Sequence, residues 1–264
     1  MAMEVSCGQC QGRLLIETPG VVVACPHCGV HLSVPVLDCE NPFQAAGESP
    51  IVTVGFNRRF APATIALKNE LGTGPCAVHC RVNAGSIPAS SWVQESDEGG
   101  GRVVGEVCHF VDLIHALSGG LTTSVSAVAM EEPGETSMED TLSITLSLDN
   151  GSIGQILYAA NGDKSFARER VEVFRSGSVG VIDNFRSYGI TRAGRTKTSK
   201  SLSLDRGHRQ GLQAFLDGIR TAQPPVPMTD YRATTEATFA ILKSLRNKTV
   251  VGVGCEREAS PCTY

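Results

Sequence analysis

The sequence has no long hydrophobic run and no excess of positive charge. No stretch of the 264 residues approaches the roughly 20 apolar residues that a membrane-spanning helix needs. The first residues also lack the basic start and the sustained apolar segment of a secretion signal. We therefore expect a cytoplasmic protein without membrane contacts.

Charge is nearly balanced, with 23 basic and 27 acidic side chains and a formal net charge of −4. Such a chain is not drawn to phosphate backbones, so nucleic acid is not an expected partner. Hydrophobic residues make up 41% of the chain, a share that is typical of soluble globular proteins. The composition thus indicates a folded protein with one large domain or two small ones.

Disulfides are not expected from the ten cysteines, because nothing in the sequence directs the chain to an oxidising compartment. Four of them form a pattern, since Cys7-Gly-Gln-Cys10 and Cys25-Pro-His-Cys28 are two Cys-x2-Cys pairs. Two such turns facing each other supply the tetrahedral sulfur ligands that Zn2+ accepts. We predict a structural zinc site, because four thiolates leave no coordination position open for a substrate.

The segment 1–36 resembles the short zinc ribbons that end in a Cys-Pro-x-Cys-Gly knuckle. Between the cysteine pairs, Leu14-Leu15-Ile16 and Val21-Val22-Val23 flank a Pro19-Gly20 turn, which predicts a hairpin too small to bury a core without the metal. Basic side chains are nearly absent from this segment, so the expected contact is a protein rather than DNA or RNA.

The rest of the chain is predicted to form a linker at 37–50, a domain at 51–250 and a tail at 251–264. Apolar and polar residues alternate over 142–148, and an Asn150-Gly151 turn sends the chain back through 153–158, which predicts a hairpin. Further strands are expected at 77–83, 124–129, 171–174, 179–182, 186–191 and 201–204.

Helical spacing over 212–219 and 233–245 predicts two helices, the second after a Thr229 cap, that cover one face of the sheet. The expected fold class is therefore α+β: an open, largely antiparallel sheet with helices on one face. The small N-terminal zinc-ribbon hairpin is added to it.

A helix is also predicted over 105–117, directly after a run of three glycines. Glu106, His109 and Asp112 recur at three-residue spacing on one side of it, opposite an apolar side. A histidine between two carboxylates suits proton transfer from a substrate hydroxyl, so these three residues are the catalytic candidates. The alternative is that His109 and Asp112 satisfy each other inside the core.

Three ordered blocks carry a resemblance to a known family. They are Val54-Gly-Phe-Asn-Arg-Arg-Phe60, Arg81-Val-Asn-Ala-Gly-Ser-Ile-Pro88 and the run from Gly99 to Asp112. In this order they resemble the glucose-fructose oxidoreductase / inositol dehydrogenase / MocA (Gfo/Idh/MocA) family, over 51–250. The resemblance implies an NAD(P)-dependent oxidoreductase that acts on a sugar or nucleotide-sugar and forms a homo-oligomer through its open sheet.

In that family the histidine that matches His109 acts in proton transfer beside the lysine of a Glu-Lys-Pro motif. The candidates for substrate binding are Asn57, Arg58, Asn83, Trp92 and Lys164. Three of these have simpler alternatives: surface charge explains the arginine and the lysine, and core packing explains the tryptophan.

The sequence departs from the family pattern in three ways. Only 50 residues precede Ile51, too few for the dinucleotide-binding Rossmann domain that family members carry there. No Glu-Lys-Pro motif occurs, and Gly105 stands where the family often has an aspartate. We therefore expect NAD(P) to bind only if a partner chain supplies the Rossmann domain.

Two hypotheses follow. The chain is either the substrate-binding half of such an oxidoreductase, which needs a partner for turnover, or a non-catalytic sugar-binding or scaffold protein derived from the family. In both, the zinc ribbon provides a protein contact.

Overall fold

The structure is a computed structural model that describes residues 51–88, 91, 100–130, 140–201 and 203–254, together with the backbone of four short strands at 3–6, 13–16, 22–24 and 31–33. The chain divides into two compact units, Met1–Ile51 and Val52–Tyr264. The finer domain limits at 36, 50 and 250 stay predictions.

The first unit contains two separate antiparallel strand pairs among its described residues. Strand β1 (Met3–Ser6) pairs with β2 (Arg13–Ile16), and β3 (Val22–Ala24) pairs with β4 (His31–Ser33). The predicted hairpin between 14–16 and 21–23 is therefore wrong. Each strand pair instead has one Cys-x2-Cys pair in the segment between its two strands. The four cysteines themselves lie outside the described residues.

The second unit is built on one nine-stranded sheet with the strand order β12-β11-β10-β9-β5-β8-β7-β6-β13. All neighbouring strands are antiparallel except β5 and β8, which run parallel, and this confirms the largely antiparallel prediction. The strands are β5 (Ala77–Asn83), β6 (Thr122–Ala129), β7 (Leu142–Leu148), β8 (Ile153–Ala159), β9 (Glu169–Arg175), β10 (Ser178–Asp183), β11 (Ser187–Arg192), β12 (Arg195–Lys200) and β13 (Val251–Gly252).

The alternating pattern of β7 has the expected consequence, because its leucines and isoleucine are buried while the residues between them are more exposed. Strands β7 and β8 pair across the Asn150-Gly151 turn as predicted. The strand predicted at 201–204 is wrong. The strand that follows β11 is instead β12, which lies at the edge of the sheet. All its residues are exposed, so apolar spacing could not have predicted it.

Four helices accompany the sheet: α1 (Pro62–Leu71), α2 (Cys108–Ser118), α3 (His208–Thr221) and α4 (Met228–Asn247). Close approaches at two glycines show how two of them pack. A Cβ on Gly154 of β8 would lie 2.8 Å from Ile114 of α2, and a Cβ on Gly180 of β10 would lie 2.6 Å from Leu67 of α1. Helix α4 packs on β6. No described helix is both long and apolar enough to cross a membrane.

Helix α3 differs from its prediction. It was expected to cover the sheet, but it packs against the 3-10 turn Asn57–Phe60. Its apolar residues Leu212, Leu216 and Ile219 are 61%, 41% and 53% exposed. Helical spacing predicted the helix correctly but could not say what would cover its apolar face. Helix α4 begins at Met228 after Pro227, so Thr229 lies inside the helix and is not its cap.

Candidate functional site

The predicted catalytic stripe lies where a π-helical turn, Val103–Val107, passes into α2. The helix is buried on several sides, because Phe110, Val111 and Ile114 all belong to the core. The turn carries Glu106, and the helix carries His109 and Asp112. The three side chains meet different partners.

His109 is half-buried, and its Nδ1 atom has no hydrogen-bond partner among the described residues. The ring of Phe56 meets its imidazole edge to face, with 5.4 Å between the ring centroids. Burial, followed by the positive charge of Arg58, lowers the pKa of His109 to about 4. The imidazole is therefore neutral at pH 7 and able to accept a proton.

Arg58 is held by a buried carboxylate next to this histidine. Its Nε and Nη2 atoms donate to the two carboxylate oxygens of Glu169, at 2.8 and 3.0 Å, and Arg206 Nε donates to the same carboxylate at 2.8 Å. Burial acts to raise the pKa of Glu169, but the hydrogen bonds and charge of Arg58, helped by Arg206, outweigh it and lower that pKa. The guanidinium of Arg58 also lies 4.6 Å from the ring centroid of Phe110.

Glu106 is the centre of a second ion-pair cluster, which Arg168 Nε links to Glu169 Oε1 at 3.7 Å. Arg102 Nη1 and Arg168 Nη2 donate to its two carboxylate oxygens at 2.6 and 2.7 Å. The same arginines donate to the backbone carbonyls of Gly85 and Ala84. Glu106 thus ties the π-helical turn to the chain that follows β5, and both its carboxylate oxygens are engaged.

Asp112 is fully buried and binds Arg59. Arg59 Nε donates to Asp112 Oδ2 at 3.0 Å, and Arg59 Nη2 lies 2.8 Å from Oδ1. Burial raises the pKa of Asp112 to about 6 even though Arg59 acts against it. The alternative pairing of His109 with Asp112 is not present, because the aspartate is bound to Arg59 and the imidazole Nδ1 has no partner among the described residues.

The predicted substrate-binding residues are divided between two places. Asn57 is buried and donates to the Arg206 carbonyl at 2.8 Å, which puts it beside Arg58. Asn83 is also buried, and it donates to the Asp163 carbonyl at 2.6 Å, thereby holding the loop that contains the exposed Lys164. Trp92 lies outside the described residues.

Residues 68–182 match the family model of the GFO/IDH/MocA C-terminal domain. No curated protein is similar enough in sequence to count as a match.

Solved structures of dehydrogenases and oxidoreductases share the fold at low identity. UDP-N-acetylglucosamine 3-dehydrogenase GnnA from Acidithiobacillus ferrooxidans superposes with a TM-score of 0.62 and 18% identity, over 75% of this chain and 62% of that one. The aldose-aldose oxidoreductase from Caulobacter crescentus gives 0.60 and 18%, over 75% and 62%. Levoglucosan dehydrogenase, in complex with NADH and levoglucosan, gives 0.64 and 18%, over 77% and 66%. This chain therefore spans less than two thirds of the length of these relatives.

Several residues of this site carried no sequence signal. Glu169 and Arg206 are far from Arg58 in sequence and belong to no motif, so only the fold brings the three together. His208, at the start of α3, is exposed and lies close enough for its charge to lower the pKa of His109 further. No spacing rule could have selected them.

Two cavities of the second unit lie near the candidate residues. One of about 210 Å³ is lined by residues 53–57 and by His208, Leu212 and Phe215 of α3, and Phe56 of this lining contacts His109. The other, of about 600 Å³, includes Arg59, His115 and Asp230 in its lining. His109 itself lines neither of these two cavities.

Neither a metal nor a dinucleotide site is evident in the described part of the chain. It contains no cluster of three or more His, Cys, Asp or Glu side chains that could hold a metal ion, and the four predicted zinc cysteines fall outside it. The Gly72 and Gly74 loop follows a helix and precedes β5, so it does not form the strand-turn-helix unit that binds a dinucleotide. This loop therefore does not fit the phosphates of a dinucleotide.

Proposed function

We propose that this chain is the substrate-binding half of a cytoplasmic Gfo/Idh/MocA-type oxidoreductase that acts on a sugar or nucleotide-sugar, and that another polypeptide supplies the NAD(P)-binding domain. His109 is the acid/base residue. The observation that carries this proposal is a neutral, half-buried imidazole whose Nδ1 has no partner among the described residues, in a unit whose residues 68–182 match the family's C-terminal domain.

The chemistry proposed for His109 is removal of the proton from a substrate hydroxyl while that carbon becomes a carbonyl. A neutral imidazole can take this proton and return it in the reverse direction. Glu106 and Asp112 have their carboxylate oxygens engaged by arginines, so we assign them to positioning the helix rather than to proton transfer. The hydride acceptor would come with the partner.

A sugar ligand is supported by the relatives, since one is a UDP-N-acetylglucosamine dehydrogenase and another binds levoglucosan. We propose that Asn57, Arg58, Asn83, Trp92 and Lys164 contribute to its binding. A thermal melt of the purified chain tests this, because a ligand of the folded state raises the melting temperature. We expect UDP-N-acetylglucosamine to stabilise the chain and NADH to have no effect; stabilisation by NADH would contradict the missing cofactor site.

The cofactor domain of the partner is proposed to dock on residues 51–55 and the apolar stripe of α3. Thr53 and Val54 have strand-forming side chains but belong to no strand of the described chain, and Leu212, Leu216 and Ile219 are exposed beside them. Phe56, which directly follows this segment, contacts His109. A domain bound here would therefore lie next to the candidate base.

The isolated dinucleotide-binding domain of GnnA is a suitable probe for this docking surface. We expect it to associate with the chain in analytical ultracentrifugation and expect Leu216→Asp to weaken the complex. Phe239→Asp is the matched control, because Phe239 is equally apolar and 57% exposed but lies on α4. Equal weakening by both variants, or no complex at all, would count against this surface. In the complex, His109→Gln is expected to abolish turnover with bound substrate.

A non-catalytic sugar-binding or scaffold role is the second candidate. It is favoured by the absence of a Glu-Lys-Pro lysine and by the arginines that bind the carboxylates of Glu106 and Asp112. Stabilisation by the nucleotide sugar, combined with no turnover in the presence of a bound cofactor domain, would select this role.

We infer that Cys7, Cys10, Cys25 and Cys28 hold a structural Zn2+ that provides a protein-binding ribbon. In support, each Cys-x2-Cys pair lies in the connection of an antiparallel strand pair, β1–β2 or β3–β4, which is the arrangement that knuckles require. Metal analysis should find about one zinc per chain, lost in Cys25→Ser. Cys262→Ser is the control and should keep the metal; zinc retained in Cys25→Ser would contradict the site.

A homo-oligomer through the open face of the sheet is proposed on its exposed apolar residues. Ile153 and Phe174 are 55% and 46% exposed, and both flank Ala77 on the neighbouring strand β5. Such a continuous apolar patch typically marks an interface between chains. Light scattering should show a dimer or larger species that Phe174→Lys dissociates, whereas a monomeric wild-type chain would refute it.

A further inference from the structure

The 3-10 turn Asn57–Phe60 and the residue before it contact the His109 end of α2 at two points, and a hydrogen bond holds the turn from another side. Phe56, just before the turn, meets the imidazole of His109. Arg58 covers the ring of Phe110, the next residue of the helix. Asn57 is tied to the Arg206 carbonyl at 2.8 Å. The position of Arg58 relative to His109 is thus determined by packing and by hydrogen bonds on both sides.

Glu169 fixes the guanidinium itself. Its carboxylate is buried and accepts two hydrogen bonds from Arg58 and one from Arg206. A bidentate arginine–carboxylate pair of this kind leaves the cation little freedom to rotate away. Arg58 is 11% exposed as a side chain, so water screens its charge much less than it screens a surface arginine.

The charges that act on His109 come from four elements. Arg58 of the 3-10 turn and His208 of α3 lower its pKa, whereas Glu106 of the π-helical turn and Glu169 of β9 raise it. Burial has the largest effect and Arg58 the second. Both act in the direction of the neutral imidazole.

We propose that Arg58, held in place by Glu169, is a positioning residue that adds to burial in disfavouring the protonated form of His109. A neutral imidazole is the form that accepts a proton from a substrate hydroxyl. The catalytic meaning of this inference rests on the proposed function. The electrostatic effect itself is independent of any partner or substrate.

The test is a histidine titration of the purified full chain by NMR. The sequence contains six histidines, and the spectrum of His109→Gln identifies the signal of His109. In the wild type this signal should titrate near pH 4. Arg58→Met keeps an apolar stem over Phe110 but removes the charge, and should raise the midpoint by about one pH unit. Arg58→Lys keeps the charge and should restore a midpoint close to that of the wild type.

Arg170→Met is the matched control. Arg170 directly follows Glu169 on β9 but is 43% exposed and pairs with Glu172, so its removal should leave the midpoint of His109 unchanged. An unchanged midpoint in Arg58→Met would overturn the proposal. If that variant does not fold, a wild-type midpoint near the ordinary value of about 6.5 would overturn it equally. A confirmed shift without turnover in the complex would contradict the proposed function alone.

Discussion

Helix α2 carries two histidines with opposite surroundings, His109 near its first turn and His115 near its last. His115 is 3% exposed and both its nitrogens are bonded. Its Nε2 accepts the Thr122 backbone N–H at 3.2 Å, which puts the proton on Nδ1, and Nδ1 lies 3.2 Å from the hydroxyl of Thr234. The Nδ1 atom of His109 is also buried but has no hydrogen-bond partner among the described residues. One imidazole is therefore hydrogen-bonded at both nitrogens in the core, and the other is not.

The neighbouring arginines of the 3-10 turn repeat this contrast. Arg58 points to Glu169 at the His109 end and Arg59 points to Asp112 further along the helix. Glu169 also binds Arg206, whereas Asp112 has no second cation within 4 Å among the described residues. Adjacent residues in one motif therefore have different tasks, and a motif match alone cannot separate them.

The largest expected effect is the loss of Arg59. Arg59→Met would leave Asp112 buried and unpaired, which typically costs about 3–5 kcal/mol. Arg58→Met should cost clearly less, because Glu169 retains Arg206 at 2.8 Å. Urea unfolding at pH 7 measures both free energies. Adding Asp112→Leu to Arg59→Met should recover much of the loss, and equal costs for the two arginines would remove the distinction between them.

An intermediate effect is expected from acid. Burial, followed by the charge of Arg59, lowers the pKa of His115 to about 4 from its ordinary value of 6.5. The unfolded chain therefore binds the proton better, so this contribution to stability is complete above pH 6.5 and is lost as the pH falls towards 4. Between pH 7 and pH 5 the loss is about 2 kcal/mol. His109 acts with the same sign.

Asp112 acts against the two histidines, because burial raises its pKa to about 6 and the folded state gains stability as this carboxyl takes up a proton. His115→Gln should therefore reduce the acid loss measured by urea unfolding at pH 7 and pH 5. His208→Gln, at an exposed position of α3, is the control. If His115→Gln leaves the acid dependence of the unfolding free energy unchanged, the buried His115 does not contribute to it and the prediction is wrong.

Sequence patterns predicted the parts of this fold that depend on local periodicity. The alternation in β7, the Asn-Gly turn and the stripe on α2 each follow from residues close together in the chain. The predicted hairpin of the zinc ribbon is wrong because two runs of three apolar residues do not indicate whether they pair with each other or with strands before and after them. Strand β12 was missed because all its residues are polar.

The candidate site could be predicted only in part, because it depends on contacts between segments that are distant in the sequence. The spacing of polar residues predicted His109 as a candidate. That its Nδ1 has no partner among the described residues follows from two tertiary contacts: Phe56 packs on its ring, and Asp112 binds Arg59. Glu169 looks like an ordinary strand residue in the sequence, and it is buried only because β9 lies next to β5 in the sheet. Contacts between distant segments determine which polar residues are structural.

The smallest expected effect concerns the exposed hairpin of β11 and β12, which contrasts with both buried arginine pairs. Lys197 is 80% exposed and its Nζ lies 3.8 Å from Glu70 Oε2, so Lys197→Ala should change the free energy of unfolding by less than about 0.5 kcal/mol. The same exposed cation could bind the diphosphate of a nucleotide sugar, which a melt with the ligand tests. If Lys197→Ala removes the stabilisation by UDP-N-acetylglucosamine while the melt of the free chain is unchanged, the diphosphate binds at this hairpin. Retained stabilisation would leave the His109 end of α2 as the proposed ligand site.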